Sequence, residues 1–272
     1  MRTITIMLAI VLSTTTCKKE KVITASFTET KVSLTTHNLT SFSIIKNSKY
    51  LVVFESGLGD DHAVWNKKDI PSQISKTFDV LLYDRAGYGK SEDGPVPRNI
   101  NKLQSELSRI IDRFSNGRKL ILVGHSLGGM IIRDYAIKNP TKIAALLFVD
   151  PSHEFYNHPS QADEDMIYNS FKNAYGLNFG GTVESKELIE NSQYLATLAD
   201  LPNVPITVLT SMKVDAIHSS TDRQAWYNAH ELLKNGVTDF THSTTTNSGH
   251  YIMIDEPKFV IDNFYLLVSK LQ

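Results

Sequence analysis

Apolar residues gather in five short, nearly unbroken runs, at residues 50–55, 78–83, 119–123, 143–149 and 205–210. Runs that do not alternate with polar residues suit strands covered on both faces, as in a parallel sheet. Between them the apolar positions change period. Leu103, Leu107, Ile110, Ile111 and Phe114 fall at helical spacing, and Met130, Ile131, Tyr135 and Ile137 do so less regularly. Trp226, His230 and Leu233 begin another helical pattern, and Phe259, Val260, Phe264, Leu267 and Val268 form the last. This alternation predicts an α/β fold, a mostly parallel central sheet flanked by helices. Ahead of it, residues 22–28 and 35–46 predict an antiparallel hairpin.

Residues 151–200 break the rhythm. They hold no strand-like run, and Phe155, Tyr156, Met166, Tyr168, Phe171, Tyr175, Phe179 and Tyr194 are scattered through a polar, helical background. The segment is too long for a plain loop. It is read as a helical lid whose aromatics line a substrate pocket.

The first residues stand apart from the core. Met1-Arg2-Thr3 precedes an apolar stretch over 4–12, and the only cysteine, Cys17, follows its end. A basic start and a short apolar segment form an export signal. The arrangement resembles a bacterial lipoprotein signal, which implies lipidation at Cys17 and an exported protein, anchored at a bacterial membrane or periplasmic. The chain then divides into a leader (1–16), a core in two parts (17–150 and 201–272) and the lid (151–200) between them.

Composition narrows the function classes. Hydrophobic residues make up 41% and charged residues 21% of 272, with a net charge of −1. This is an ordinary globular balance, without the basic footprint of a nucleic-acid binder. One cysteine excludes a disulfide framework within the chain. No apolar run reaches the roughly 18–20 residues needed to span a bilayer, so a membrane enters only through Cys17.

The sharpest motif is Gly124-His125-Ser126-Leu127-Gly128-Gly129, between the run at 119–123 and a helical pattern. A strand turning abruptly into a helix pushes the Ser126 hydroxyl outward in a strained conformation, and glycines on either side remove the collision this would cause. The nearby helix start favours negative charge. Ser126 is therefore a candidate nucleophile.

With this motif the chain resembles the α/β-hydrolase family over nearly its whole length after the leader. Glu55-Ser56-Gly57-Leu58-Gly59 looks like the family's oxyanion loop, with Ser56 where histidine is usual. Asp84-Arg85-Ala86-Gly87-Tyr88-Gly89-Lys90-Ser91 matches a turn of its lidded members, and Ser248-Gly249-His250-Tyr251 its histidine loop. The resemblance implies a serine hydrolase acting on a small acyl substrate, most simply a carboxylic ester. Ser126 would be the nucleophile, His250 the general base and acid, and the backbone N–H groups of Leu58 and Leu127 the oxyanion hole. Two aspartates follow core strands in the right order for the acid. Asp150 is favoured because a strand end fixes it better, and Asp215 is the alternative. The same triad serves aminopeptidases, lactonases, carbon–carbon bond hydrolases and acyltransferases, and some relatives only bind a small molecule.

No metal or cofactor is expected. His153-Glu154-Phe155-Tyr156-Asn157-His158 is one residue too long for the zinc motif H-E-x-x-H, so its histidines would not share a helix face. His153 and Glu154 are instead expected at the lid entrance or facing water. No G-x-G-x-x-G follows the first core strand, which speaks against a dinucleotide site.

Overall fold

The computed structural model describes residues 26–156 and 158–271. The leader, Cys17 and residues 22–25 of the expected hairpin lie outside them. Among the described residues eight strands form one sheet. They are β1 (Thr28–Ser33), β2 (Asn38–Ile44), β3 (Tyr50–Glu55), β4 (Asp79–Tyr83), β5 (Lys119–His125), β6 (Ile143–Val149), β7 (Ile206–Ser211) and β8 (Phe240–Thr245). Their spatial order is β1-β2-β4-β3-β5-β6-β7-β8. β1 and β2 are antiparallel, β2 joins β4 antiparallel, and every pairing from β4 to β8 is parallel.

The five apolar runs become β3 to β7, and their lack of alternation has a direct cause. Successive side chains on a strand point to opposite faces, and here both faces are covered. Leu51 and Val53 of β3 enter a layer with α3 (Ile100–Phe114) and α4 (Leu127–Lys138). Val52 and Phe54 enter the opposite layer, with α1 (Ala63–Asn66), α2 (Ile70–Ile74), α9 (Ile252–Asp255) and α10 (Pro257–Val268). The weak helical pattern at 130–137 also has a cause. α4 is buried nearly all round, including Gly128, Gly129, Met130, Ile131, Ile132, Tyr135 and Ala136, so no polar face marks its period.

Two strands differ from expectation. Among the described residues the first hairpin strand is Thr28–Ser33, where 22–28 was expected, and it is a largely exposed edge. β8 was not apparent as an apolar run, because Phe-Thr-His-Ser-Thr-Thr pairs only with β7 at the sheet edge and is half-exposed. The segment between β6 and β7 carries α5 (Gln161–Tyr175), α6 (Gly180–Glu184) and α7 (Leu188–Leu195), and α8 (Ser220–Glu231) follows β7. No helix among the described residues is long and apolar enough to cross a membrane.

Candidate active site

Ser126 sits between β5 and α4 with φ 52° and ψ −122°. Such backbone costs about 1–3 kcal/mol and persists only where its surroundings hold it. A Cβ at Gly124 would lie 2.7 Å from the Gly128 carbonyl oxygen, the collision the motif avoids. At Gly128 the obstacle is different, since a Cβ there would meet the carbonyl oxygens of Glu55 and Ser56 at 2.4 and 2.7 Å. The second glycine thus lets α4 approach the end of β3. The Ser126 hydroxyl lies 3.3 Å from Ser152 Oγ.

Asp150, not Asp215, holds His250. Asp150 Oδ2 is 2.7 Å from His250 Nδ1, while Asp150 Oδ1 accepts from the Ser211 amide and the Trp226 indole N–H, each at 2.8 Å. Burial alone would raise this carboxyl, but the His250 hydrogen bond and charge, helped by the Ser211 amide, hold it below the usual carboxylate range. It is fully buried, so the anion persists because its oxygens are satisfied. Asp215 lies in the exposed loop after β7, where its Oδ1 accepts from the amides of Ile217 and His218 at 2.9 and 2.8 Å. His125, next to the serine, is buried and pushed down to about 3, first by desolvation and then by the neighbouring His250. It is therefore neutral, and its Nε2–H donates to the His250 carbonyl at 3.0 Å, steadying the loop that carries His250.

The loop after β3 is organised by a residue that sequence reasoning had taken only as part of a turn. Arg85 donates from Nη1 to Glu55 Oε1 at 2.9 Å and the Ser56 carbonyl at 2.7 Å, and from Nη2 to the Gly57 carbonyl at 2.8 Å. Its Nε and Nη2 reach both carboxylate oxygens of Glu184 at 2.9 and 3.0 Å. All five donors of the buried guanidinium are thus matched. Tyr88 closes the ring, its hydroxyl donating to Glu184 Oε2 at 2.7 Å and accepting from the Gly59 amide at 3.1 Å. Between these anchors stands the Leu58 amide, and the Leu127 amide opens α4, where the first N–H groups have no partner within the helix. Leu58 and Leu127 line the same cavity as Ser126.

Two cavities meet at Ser126 and Ser152. One, of about 370 Å³, is lined by Leu58, Leu127, Met130, Ile167 and Leu188, with polar groups farther along. The other, of about 330 Å³, holds His250, Tyr156, Trp226, His218 and Arg223. Of the aromatics expected to line a substrate pocket, only Tyr156 borders these cavities. Phe171, Tyr175 and Phe179 pack on one another, with ring centroids 4.6–6.2 Å apart, and Phe155 is exposed. His153 and Glu154 do not face water. Both are buried, and Glu154 takes Arg133 Nη1 at 2.7 and 2.8 Å. Three groups able to ligate a metal, Asp61, His62 and Asp84, lie together, but His62 Nδ1 already hydrogen-bonds Asp84 at 2.6 Å.

Comparison with known proteins places the fold. The chain is 27% identical over 214 residues to the uncharacterized protein YqjL of Bacillus subtilis (strain 168), covering 79% of this chain and 81% of that one. It is 30% identical over 134 residues to a pimeloyl-[acyl-carrier protein] methyl ester esterase of Proteus mirabilis (strain HI4320), about half of each chain, 49% in both cases. Among solved structures, Cfl2 from Burkholderia cenocepacia superposes with a TM-score of 0.67 at 15% identity, over 93% of this chain and 98% of that one. The epoxide hydrolase CorEH superposes with a TM-score of 0.66, also at 15% identity, over 91% and 100%. The family model described as alpha/beta hydrolase fold matches residues 50–262, and the chain belongs to that family.

Proposed function

We propose that the protein is a serine hydrolase that cleaves carboxylic esters through an acyl-enzyme. The observation that carries this reading is the hydrogen bond of buried Asp150 to His250 Nδ1, beside a cavity that His250 shares with the strained Ser126. Asp150 keeps the proton of the neutral imidazole on Nδ1, which leaves Nε2 free to act as a base. Ser126 Oγ then attacks the carbonyl carbon and gives its proton to His250 Nε2. The carbonyl oxygen becomes an oxyanion, stabilised by the Leu58 and Leu127 amides. Collapse breaks the bond to the alcohol, which leaves with the proton from His250. Water attacks the acyl-enzyme next, with His250 again as base, and releases the acid and free Ser126. A neutral His125 adds no positive charge beside His250.

A methyl ester esterase among the relatives agrees with this reaction class, and a serine at the elbow suits acyl transfer. The test is labelling by a fluorophosphonate probe. Wild type should be labelled and Ser126→Ala should not, and an unlabelled wild type would overturn the reading. We place the enzyme outside the cytoplasm, tethered through Cys17. Cys17→Ser should then move it from the membrane to the soluble fraction, whereas a wild type that is already soluble with Met1 intact contradicts the anchor.

A further inference from the structure

We infer that the cavity beside His250 is a subsite for an anionic group, phosphate or carboxylate, on the alcohol part of the ester, with Arg223 as its receptor. The inference rests on the ester-hydrolase reading above for the word alcohol, and on the state of Arg223 for the word anionic.

The buried arginines of this fold make the contrast. Arg85 has all five donors matched, two of them by Glu184. Arg98 is held by both oxygens of Glu106 at 3.1 and 2.9 Å. Arg223 is 5% exposed, yet among the described residues its only hydrogen bond runs from Nε to the Lys213 carbonyl at 2.7 Å. The nearest carboxylate is Asp215, 3.8 Å from Nη2. That group is 38% exposed and already engaged by His218. Asp222, on the same helix as Arg223, turns its Oδ2 to the amide and hydroxyl of Ser219 at 2.8 and 2.7 Å. The Nη groups of Arg223 thus have one loose ionic contact and no hydrogen bond among the described residues, and the side chain lines a cavity that opens on Ser126. Its planar donors match the oxygens of a phosphate or carboxylate. His218 lines the same cavity, with its Nδ1–H turned to Asp215 at 3.1 Å.

The chemistry decides which half of the substrate lies there. His250 hands its proton to the departing oxygen, so the alcohol must leave on the His250 side. His250 lines the cavity of Arg223, whereas the apolar cavity on the other side is bordered by the two oxyanion-hole residues. The acyl chain therefore takes the Leu58, Met130, Ile167 and Leu188 side, and the charged alcohol the Arg223 side.

Three esters of one acid test this: the hexanoyl esters of glycerol, of glycerate and of glycerol 3-phosphate, followed by titration of released acid. Wild type should prefer at least one anionic ester over the glycerol ester by about 10- to 100-fold in kcat/KM, the worth of a charge-assisted hydrogen-bonded contact. The better of the two names the anion. In Arg223→Gln the ratio should fall to near one, while Arg223→Lys should retain part of it. Because the readout is a ratio within one preparation, a partly folded variant still reports it. A wild-type ratio at or below one, or a ratio unchanged in Arg223→Gln, overturns the subsite. If no ester is cleaved, fluorophosphonate labelling still tests the hydrolase reading, and calorimetric titration of wild type with glycerol 3-phosphate and with glycerate decides the subsite separately. Binding lost in Arg223→Gln sustains it, and the absence of binding overturns it.

Discussion

Arg85 and Glu184, one in the turn after β4 and the other at the end of α6, form a two-pronged buried ion pair at 2.9 and 3.0 Å. The other face of the same guanidinium holds the Ser56 and Gly57 carbonyls. The segment inserted between β6 and β7 is thereby coupled to the loop that presents the Leu58 amide. Glu184→Ala should leave Arg85 buried with its charge half-met. Breaking one partner of such a pair costs about 3–5 kcal/mol, so the urea midpoint should drop markedly. Turnover should fall even in the fraction that stays folded, because the Leu58 amide loses its support. Unchanged stability and turnover would show that the pair does not position the loop.

The oxyanion assignment concerns backbone groups, so the side chain at residue 58 should matter little. Leu58→Ala should keep much of the turnover. Leu58→Pro deletes the donor, and one missing oxyanion donor costs about 10²–10³ in kcat. A folded Leu58→Pro enzyme of full activity would place the hole elsewhere.

Acid should destabilise the fold as the pH falls below about 6.5. His125, His153 and His230 are buried and pushed down to about 3, chiefly by desolvation, from an ordinary value of 6.5. Between those limits the unfolded chain binds more protons than the folded one. Stability is therefore full above about pH 6.5 and is lost as the pH falls toward 3. Asp150, held low, loses its contribution as it protonates in the same direction. Glu55, pushed up to about 7 by burial against the pull of Arg85, acts oppositely between its ordinary value and 7. Asp60 and Glu187, also raised by burial, act with Glu55, while His37 and His242, also lowered by burial, act with the three histidines. Urea unfolding at pH 7 and pH 5 checks the balance: the midpoint should be lower at pH 5, and an equal or higher midpoint contradicts it.

How far the sequence foretells this molecule depends on the range of the interaction. Ser126 was legible because a strand, a glycine pair and a helix start are local, and the five buried strands were legible because both faces must be apolar. β8 was not, since an edge strand with three threonines carries no apolar run. The choice between Asp150 and Asp215 stayed open for a related reason. What holds Asp150 beside His250 is the Ser211 amide and the Trp226 indole, 61 and 76 residues from Asp150. No spacing rule brings such groups together. The aromatics of 151–200 were assigned to a pocket by the segment's place among the motifs, yet most pack among themselves or lie exposed, since a small, half-covered helical segment needs them for its own cohesion. Arg85 was legible only as part of a turn motif and Arg223 gave no signal, because matched and unmatched guanidinium donors look the same in a sequence.

The triad itself is tested most directly by comparing two single substitutions in one assay. Asp150→Asn and Asp215→Asn remove one carboxylate each, and circular dichroism can confirm that both proteins are folded. Steady-state turnover of a p-nitrophenyl ester should fall by about 10⁴ in Asp150→Asn, the loss seen when a comparable triad keeps its geometry but holds its histidine in the wrong tautomer. Asp215→Asn should turn over the ester at close to the wild-type rate, since its carboxylate caps a surface loop rather than touching His250. Near-normal turnover in a folded Asp150→Asn protein would contradict the account, whatever Asp215→Asn does.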